Sequence, residues 1–537
     1  MEASAPTAVQ DLRGALIRAA ASLGAEPKGT LTLERPKVAA HGDYATNAAM
    51  LLAGALKSPP REIAERLAQA ITVELGDDLD RAEVAGPGFL NLFLTDAWHA
   101  RALGAVLDSG DTYGAGGVET PLRINVEFVS ANPTGPVHVG GSRNAAFGDA
   151  LSRILTFTGH DVHREYYVND FGSQVVNLGL SIQARARGEE VPEGGYQGDY
   201  ITALAEQIPD AATGDLADIS RRGVELMVGQ ARESLCVFRV EFDEWFSERS
   251  LHEGSPSPVQ HAFEVLAEQG RTYTSEGALW LRTTEFGDDK DRVLERSTGE
   301  HTYFASDIAY ALNKRERGFQ LQLNVWGADH HGYMQRNYAA YKALGGSPEE
   351  LELLIMQFVH LVEGSERSQM SKRSGEFVTL DELVGEIGVD ASRWFLLARS
   401  HDTTMDLDLD LAKSQSSDNP VYYVQYAHAR IASIRRKSKA EPDATLPAGA
   451  ELHPSERALI KKLLDLGAEV SEAAERRAPH RIATYALETA QTVTAFYRDC
   501  PIVGSETESF RLALATAAQS VLARSLDLLG ISAPEEM

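Results

Sequence analysis

The chain has 537 residues, with 51 Lys and Arg against 78 Asp and Glu, and a net charge of −27 at pH 7. This length calls for several domains, and 43% hydrophobic with 24% charged residues is a globular composition, with ample chain for a large core. The acidity argues against a general, charge-driven nucleic-acid binder but leaves room for a local basic face; the only two cysteines, Cys236 and Cys500, exclude a disulfide framework or a Cys-based zinc site.

The cysteine usage fits a reducing compartment. Residues 1–10 have neither a basic stretch nor an apolar core of a signal peptide, and no apolar run is long enough to span a membrane. A cytoplasmic location with no membrane contact is therefore expected.

In the first part of the chain, Leu12, Leu16, Ile17 and Ala20 recur at helical spacing and predict an opening amphipathic helix. Gly42-Asp43-Tyr44-Ala45-Thr46-Asn47 reads as a turn with a helix cap at its end. Residues 47–56 and 60–75 read as helices, the second opened by Pro59-Pro60. Residues 84–94 read as a turn followed by an alternating strand. A small α+β domain over residues 1–112 results, without a catalytic cluster, and the Gly-rich 109–117 marks its boundary.

An α/β pattern occupies residues 113–415. Residues 124–129 are β-branched and alternate, as a strand does. A helix is expected over 142–158, where Ala146, Ala150, Leu151, Ile154 and Leu155 recur and Gly159 supplies the stop; a second strand follows at 161–168. Such a unit predicts a parallel pair with a right-handed crossover. Its first loop, Asn132-Pro133-Thr134-Gly135-Pro136-Val137-His138-Val139-Gly140-Gly141, ends on a helix N-terminus. Free backbone N–H groups and the helix dipole there favour phosphate, and His138 is placed to donate to it. Taken alone, the loop fits a structural turn equally well.

Polar residues at 166–174 end the second strand on the side where open α/β sheets bind ligands. Surface connections are expected at 187–199 and 209–216, and a helix at 219–235. Strands at 238–246 and 278–282 are assigned to an insertion between the two halves of the sheet. Tyr303 and Asp307, four apart, share a helix face and offer a ring, a hydroxyl and a carboxylate that suit a planar cation such as guanidinium. A capping Asp beside a core Tyr is the competing interpretation. Residues 321–326 form a strand, and Asp329-His330-His331 follow at its carboxyl end. Adjacent side chains diverge and a third ligand is not evident, so a polar pocket is expected there in preference to a metal site. Residues 355–362 read as one strand leading to Ser368-Gln369-Met370-Ser371-Lys372-Arg373-Ser374-Gly375. Lys372 and Arg373 suit the neutralisation of a triphosphate, although a solvated turn has the same composition.

Residues 416–537 turn helical. Asn419-Pro420 opens a helix to about 437 that carries Tyr422, Tyr423, Tyr426, His428, Arg430, Arg435 and Arg436. A Pro/Ala linker at 441–454 precedes amphipathic helices at 455–474, 479–497 and 509–529, so a helical bundle is expected. Aromatic and basic side chains mixed on one helix suit unstacked RNA bases and their phosphates; tyrosines packed in the core are the alternative.

The strand–Asn132-Pro133-Thr134-Gly135-x-x-His138-Val139-Gly140 loop, with Met370-Ser371-Lys372-Arg373-Ser374-Gly375 far downstream, resembles the class I aminoacyl-tRNA synthetases. The form of the first signature from Glu127, together with Gly42–Asn47, Ala85–Asn91, Tyr303-x-x-x-Asp307, the Trp326–Gly332 stretch and the closing Leu528–Pro534, narrows the resemblance to the arginyl-tRNA synthetase family. It covers nearly the whole chain.

The resemblance implies a multidomain α/β protein. An N-terminal α+β domain (1–112) would contact the tRNA elbow. A Rossmann-like, HUP-type parallel-sheet catalytic domain with an insertion (113–415) would follow, and then a helical anticodon-binding domain (416–537). It implies ATP-dependent activation of L-arginine to arginyl-adenylate and transfer to the 3′ end of tRNA(Arg), with the tRNA needed even for the first step. His138 and Lys372 would be catalytic. Pro133, Thr134, Gly135, His138, Gly140, Gly141, Met370, Ser371 and Lys372 would bind ATP. Glu127, Ser130, Asn132, Tyr303, Asp307 and Asp329 would bind arginine, and Tyr426, Arg430 and Arg435 the tRNA. Mg²⁺ would arrive with ATP, without a protein metal cage, and the chain would be a monomer.

Two positions depart from the family pattern: Gly141, where a second histidine is usual, and Gln369, where the wider class usually begins with Lys. Each removes a donor, and one preorganised donor is worth about 3 kcal/mol. Arg373 and Arg143 are the expected compensating cations. A synthetase for a different amino acid and a non-catalytic tRNA-binding relative remain as alternatives on the sequence alone.

Overall fold

The computed structural model of the protein describes residues 7–36, 38–364, 366–368 and 378–537. Its first part comprises α1 (Ala8–Ser22), β1 (Leu33–Glu34), β2 (Tyr44–Thr46), α2 (Ala48–Leu56), α3 (Pro60–Leu75), β3 (Leu79–Ala85), β4 (Phe89–Leu94) and α4 (Asp96–Ser109). Thr7 and Gln10 form a capping box that starts α1. Leu12, Leu16 and Ala20 are buried, but Ile17, expected on the same face, is 49% exposed. The strands form an antiparallel sheet in the order β1-β2-β4-β3. β3 escapes the sequence pattern because it is an edge strand whose Asp80, Arg81 and Glu83 face water.

The second part opens with β5 (Arg123–Glu127), α5 (Val139–Thr158) and β6 (Asp161–Val168). It continues through α6 (Ser173–Arg187), α7 (Asp199–Gln207), α8 (Leu216–Val237), β7 (Glu244–Ser247) and α9 (Pro258–Glu268). β8 (Thr272–Ser275), β9 (Ala278–Leu281) and β10 (Arg292–Glu295) precede α10 (Tyr303–Glu316), β11 (Leu321–Gly327), α11 (Met334–Ala343) and β12 (Leu351–Met356). Next come β13 (Val359–Glu363), β14 (Glu366–Ser368), α12 (Leu380–Leu397), β15 (Met405–Asp408) and α13 (Leu409–Lys413).

Five strands form one parallel sheet in the order β12-β11-β5-β6-β7. This is a doubly wound arrangement whose order reverses between β5 and β11, the position where such sheets bind ligands. α5 lies close on the end of β5: a Cβ on Gly148 would come within 2.2 Å of the Phe128 ring, so only glycine allows that approach.

Three expectations need correction here. Of the strand expected at 238–246 only the last part is strand, within β7, and it is the edge of the main sheet rather than part of an insertion; β9 belongs to a separate antiparallel sheet, β10-β9-β8. The strand expected at 355–362 is two strands in two sheets, interrupted at Gln357-Phe358. Arg143 accounts for that interruption. Instead of reaching phosphates, its guanidinium is buried and donates to the carbonyls of Gln357 (2.8 Å), Thr403 (2.9 Å) and Ser400 (2.9 Å).

The third part is a bundle of α14 (Pro420–Lys437), α15 (Pro454–Leu463), α16 (Leu466–Glu475), α17 (His480–Asp499) and α18 (Glu508–Leu528). The single helix expected at 455–474 is thus two. The N-terminal part docks on this bundle through buried Asp43, which meets Lys461 at 3.0 Å and Arg457 at 3.5 Å. The segment after α18 is tied to the catalytic part. Arg393, fully buried, donates to the Leu529 carbonyl at 2.8 Å and pairs with Asp149 of α5. Among the described residues, no helix is long and apolar enough to cross a membrane.

Candidate active site

The sheet's switch point is shaped first by a backbone turn. Val129 and Ser130, just past β5, adopt left-handed conformations with φ of 66° and 40°, which a β-branched residue rarely does. The surroundings hold them there. The Val129 N–H donates to Asn144 Oδ1 (2.7 Å), the Tyr167 N–H to Ser130 Oγ (3.1 Å) and Asn169 Nδ2 to the Ser130 carbonyl (3.3 Å). Asn144 also donates to the Val325 carbonyl at 2.9 Å and so spans the ends of β5 and β11. Sequence reasoning missed this residue, which follows Ser142 and Arg143 and carries no distinguishing signal.

His138 is the N-cap of α5. The N–H groups of Gly140 (3.1 Å) and Gly141 (3.4 Å) donate to its Nδ1. Two donors at Nδ1 place the proton of the neutral ring on Nε2. Burial lowers the His138 pKa, and the Asp329 charge opposes that shift, so the neutral form prevails at pH 7. Gly140 is required by this cap, because a Cβ there would lie 2.9 Å from the His138 ring. Gly141 contributes its N–H, and a Cβ there would press on Val137 at 3.1 Å.

The segment after residue 377 is stitched to the same loop. The Val139 N–H donates to the Val378 carbonyl (2.9 Å), and the Leu380 N–H to that of Val137 (2.7 Å). Met370, Ser371, Lys372, Arg373 and Gln369 lie outside the described residues. Pro133 and Thr134 are buried in the loop, and the Thr134 carbonyl accepts from Tyr200 Oη at 2.7 Å; Gly135 packs against the same ring, and Asn132 is exposed.

On the far side of the crevice, Tyr303 and Asp307 do lie on one helix, α10. Tyr303 is exposed, its hydroxyl 3.4 Å from Ser173 Oγ at the start of α6. Asp307 is open to solvent, yet the protein enclosing it and the Glu127 carboxylate push its carboxyl up to about 7, against a downward pull from Arg336. Glu248, in a short turn after β7, is buried. Burial and the charges of Asp307 and Asp170 raise its carboxyl to about 7, although a hydrogen bond with Ser306 works the other way. Among the described residues neither Asp307 nor Glu248 has an ion-pair partner.

Glu248 lies 59 residues before Asp307 in an irregular turn, and nothing periodic in the sequence marks it. Asp170, by contrast, is satisfied by Ser247 Oγ and by the Arg249 N–H at 2.9 Å. Asp329 is 72% exposed and 3.3 Å from His330. The remaining expected arginine ligand, Glu127, faces the buried Lys314 at 2.7 Å.

His163, Glu165 and Glu244 cluster as metal ligands would. The Arg317 guanidinium occupies their centre, bonded to Glu165, to Glu244 at 2.6 Å and to His163 at 3.3 Å. Those donors are committed to a cation already present.

In the bundle, α14 and α17 enclose a cavity of about 360 Å³ lined by Tyr422, Tyr423, Tyr426, Arg430 and Tyr497. Tyr422 and Tyr426 stack at 6.3 Å, and the Arg430 guanidinium lies 3.8 Å from the Tyr497 ring centre. Arg435 is turned to Gln519 at 2.7 Å, and His428 is buried against the Pro534 carbonyl.

A helix N-terminus beside an acidic pocket, at the reversal of a parallel sheet, suits an enzyme that joins a nucleotide to a cationic substrate, and class I aminoacyl-tRNA synthetases have this architecture. Residues 104–193 and 229–431 match the family described as "tRNA synthetases class I (R), catalytic domain". Residues 9–94 match "Arginyl tRNA synthetase N terminal domain", and 424–537 "DALR anticodon binding domain". The arginine–tRNA ligase of Carboxydothermus hydrogenoformans is 43% identical, and that of Listeria monocytogenes 45%, each over 98% of both chains. The crystallised arginyl-tRNA synthetase of Thermus thermophilus superposes with a TM-score of 0.77 at 25% identity, over 98% of this chain and 99% of that one. The chain belongs to the arginyl-tRNA synthetase family.

Proposed function

We propose that the chain activates L-arginine with ATP and transfers it to the 3′ end of tRNA(Arg), with the two steps taking place in the β5/β11 crevice. The observation that carries the choice of amino acid is the pair of acids, Asp307 on α10 and Glu248 in the turn after β7, that have no ion-pair partner among the described residues. A guanidinium would neutralise both charges, whereas a neutral side chain would leave both without a cation.

In the first step an oxygen of the arginine carboxylate bonds to the α-phosphorus of ATP, and the bond from that phosphorus to the bridging oxygen breaks to release pyrophosphate. His138, holding its proton on Nε2, donates a hydrogen bond to phosphate oxygens as charge develops there, and the α5 N-terminus with Gly140 and Gly141 adds its dipole. Pro133, Thr134 and Gly135 shape the nucleotide's side of the loop. Lys372, with Met370 and Ser371, would stabilise the same charge. The pairing of Val378 to Leu380 with Val137 to Val139 supports this role, because it ties the chain six residues beyond Lys372 to the His138 loop, a reach of about 20 Å at most. In the second step a ribose hydroxyl of the terminal adenosine attacks the arginyl carbonyl carbon and AMP leaves.

Tyr303 would stack on or donate to the guanidinium, while Glu127, Ser130 and Asn132 would hold the ammonium end. Mg²⁺ supplies charge neutralisation when it comes with the nucleotide. Asp329, a solvent-open carboxylate felt at His138, fits contact with it through water. The N-terminal part (1–112), the catalytic part (113–415) and the bundle (416–537) would divide the work as tRNA elbow, chemistry and anticodon. The aromatic cavity around Tyr426 and Arg430 is suited to an unstacked base. Arg435, held by Gln519, would play the lesser part. A monomeric, cytoplasmic enzyme completes this reading.

The decisive assay is charging of tRNA with each of the twenty amino acids. Acceptance of arginine alone is expected; acceptance of another amino acid, or of none, would overturn the proposal.

A further inference from the structure

α10 presents Tyr303, Asp307, Tyr310, Lys314 and Arg317 along one stripe, at steps of four, three, four and three residues. Its upper half borders the open acidic pocket. Its lower half meets three polar residues that lie side by side across the sheet, since Asn324, Glu127 and Glu165 are in register on β11, β5 and β6. Lys314 is the joint between the two halves. Completely buried, its Nζ donates to Glu127 Oε2 at 2.7 Å and to Asn324 Oδ1 at 3.0 Å, and it sits 4.2 Å from the Tyr310 ring centre. Tyr310 in turn donates to Glu165, which Arg317 also holds. Glu127 is the carboxylate whose charge is felt at Asp307.

We infer that Lys314 is a positioning residue for the amino-acid subsite: by holding one oxygen of Glu127 and anchoring α10 on Asn324, it sets the spacing between Glu127 and Asp307 that the substrate must bridge. This rests on the assignment of the acidic pocket to arginine. A buried lysine with two acceptors on two different strands fixes the height of the helix, and a helix so fixed cannot slide Asp307 toward or away from β5. One oxygen of Glu127 is committed to Lys314, which leaves the other for a substrate ammonium. The charge balance follows as well: with Lys314 in place, the pocket presents the net charge of its open carboxyls alone.

The test uses the full chain and ATP–pyrophosphate exchange in the presence of tRNA, comparing Lys314→Met, Lys314→Arg and Asp307→Asn with the parent. Loss of a partner that orients a ligand group typically costs 10- to 100-fold, so Lys314→Met should raise the arginine KM at least about tenfold and leave the ATP KM within about twofold. Lys314→Arg, which retains a buried cation, should recover most of that loss. An unchanged arginine KM in Lys314→Met, or equal rises in both KM values that follow a falling Tm, would overturn the inference. Should Lys314→Met not fold, Lys314→Gln takes its place: a larger arginine KM in Gln than in Arg supports the role, and equal values overturn it. Asp307→Asn separates the two layers. If it leaves arginine use intact, the pocket assignment itself fails; if it abolishes arginine use while Lys314→Met does not, only the role of Lys314 fails.

Discussion

The two halves of the α10 face treat their carboxylates in opposite ways. In the lower half every acid has a cation: Glu127 has Lys314, and Glu165 and Glu244 share Arg317. Burial alone would raise the Glu165 pKa, but Arg317, Lys314 and the Tyr310 hydroxyl bring it below the ordinary range. In the upper half Asp307 and Glu248 have no such partner, and both are pushed up to about 7. Glu248 is buried without a cation, which costs the fold stability, and Asp307 beside it faces the solvent side, where a ligand could bring the missing charge. On the proposed assignment the paired half serves the fold, and the half without cations the substrate.

Asp307→Asn should break this contrast most severely. Removing one partner of a charge-assisted pair costs about 2–5 kcal/mol, so kcat/KM for arginine should fall by about 10³-fold. The same variant should melt no lower than the parent, because it removes a strained charge. Glu165→Gln should do the reverse. It leaves Arg317 with Glu244 as its one carboxylate and should cost about 2–3 kcal/mol in denaturant unfolding, with a few-fold change at most in arginine KM.

The pH dependence sharpens the comparison. If arginine needs Asp307 ionised, its apparent affinity should improve about tenfold from pH 6 to pH 8, measured with saturating ATP. Free of substrate, the native pocket retains protons that the unfolded chain has released above about pH 4. Its contribution to stability is therefore full at low pH and is lost as pH rises through about 7; the paired Glu165, depressed instead, loses its contribution as pH falls. The smallest effect is expected of Asp329→Asn. An exposed, solvent-screened carboxylate should alter the ATP KM by no more than about threefold.

Much of this was legible in the chain. The glycines after His138 marked a helix N-terminus because only a tight cap needs them, and Tyr303 with Asp307 showed as neighbours because helical spacing places them together. The family and its three-part organisation followed from motifs in order. What stayed hidden depended on tertiary partners. Glu248 sits in an irregular turn, and its character comes from Asp307 and Asp170, both distant in sequence. Arg143 looked like a phosphate ligand until its carbonyl partners at 357, 400 and 403 came into view. Lys314 carried no signal in the sequence, since lysine normally snorkels to water and nothing around it marks burial. Strand β3 hid because a polar edge strand has no alternating pattern to read.

Asp307 on α10 and Glu248 in the β7 turn should select a cationic side chain. The most direct measurement is tRNA-dependent ATP–pyrophosphate exchange with L-arginine and with L-citrulline, its neutral isostere. A preference for arginine of about 10³-fold or more in the parent, collapsing toward parity in Asp307→Asn, is the predicted result. Comparable exchange with both amino acids in the parent would contradict it.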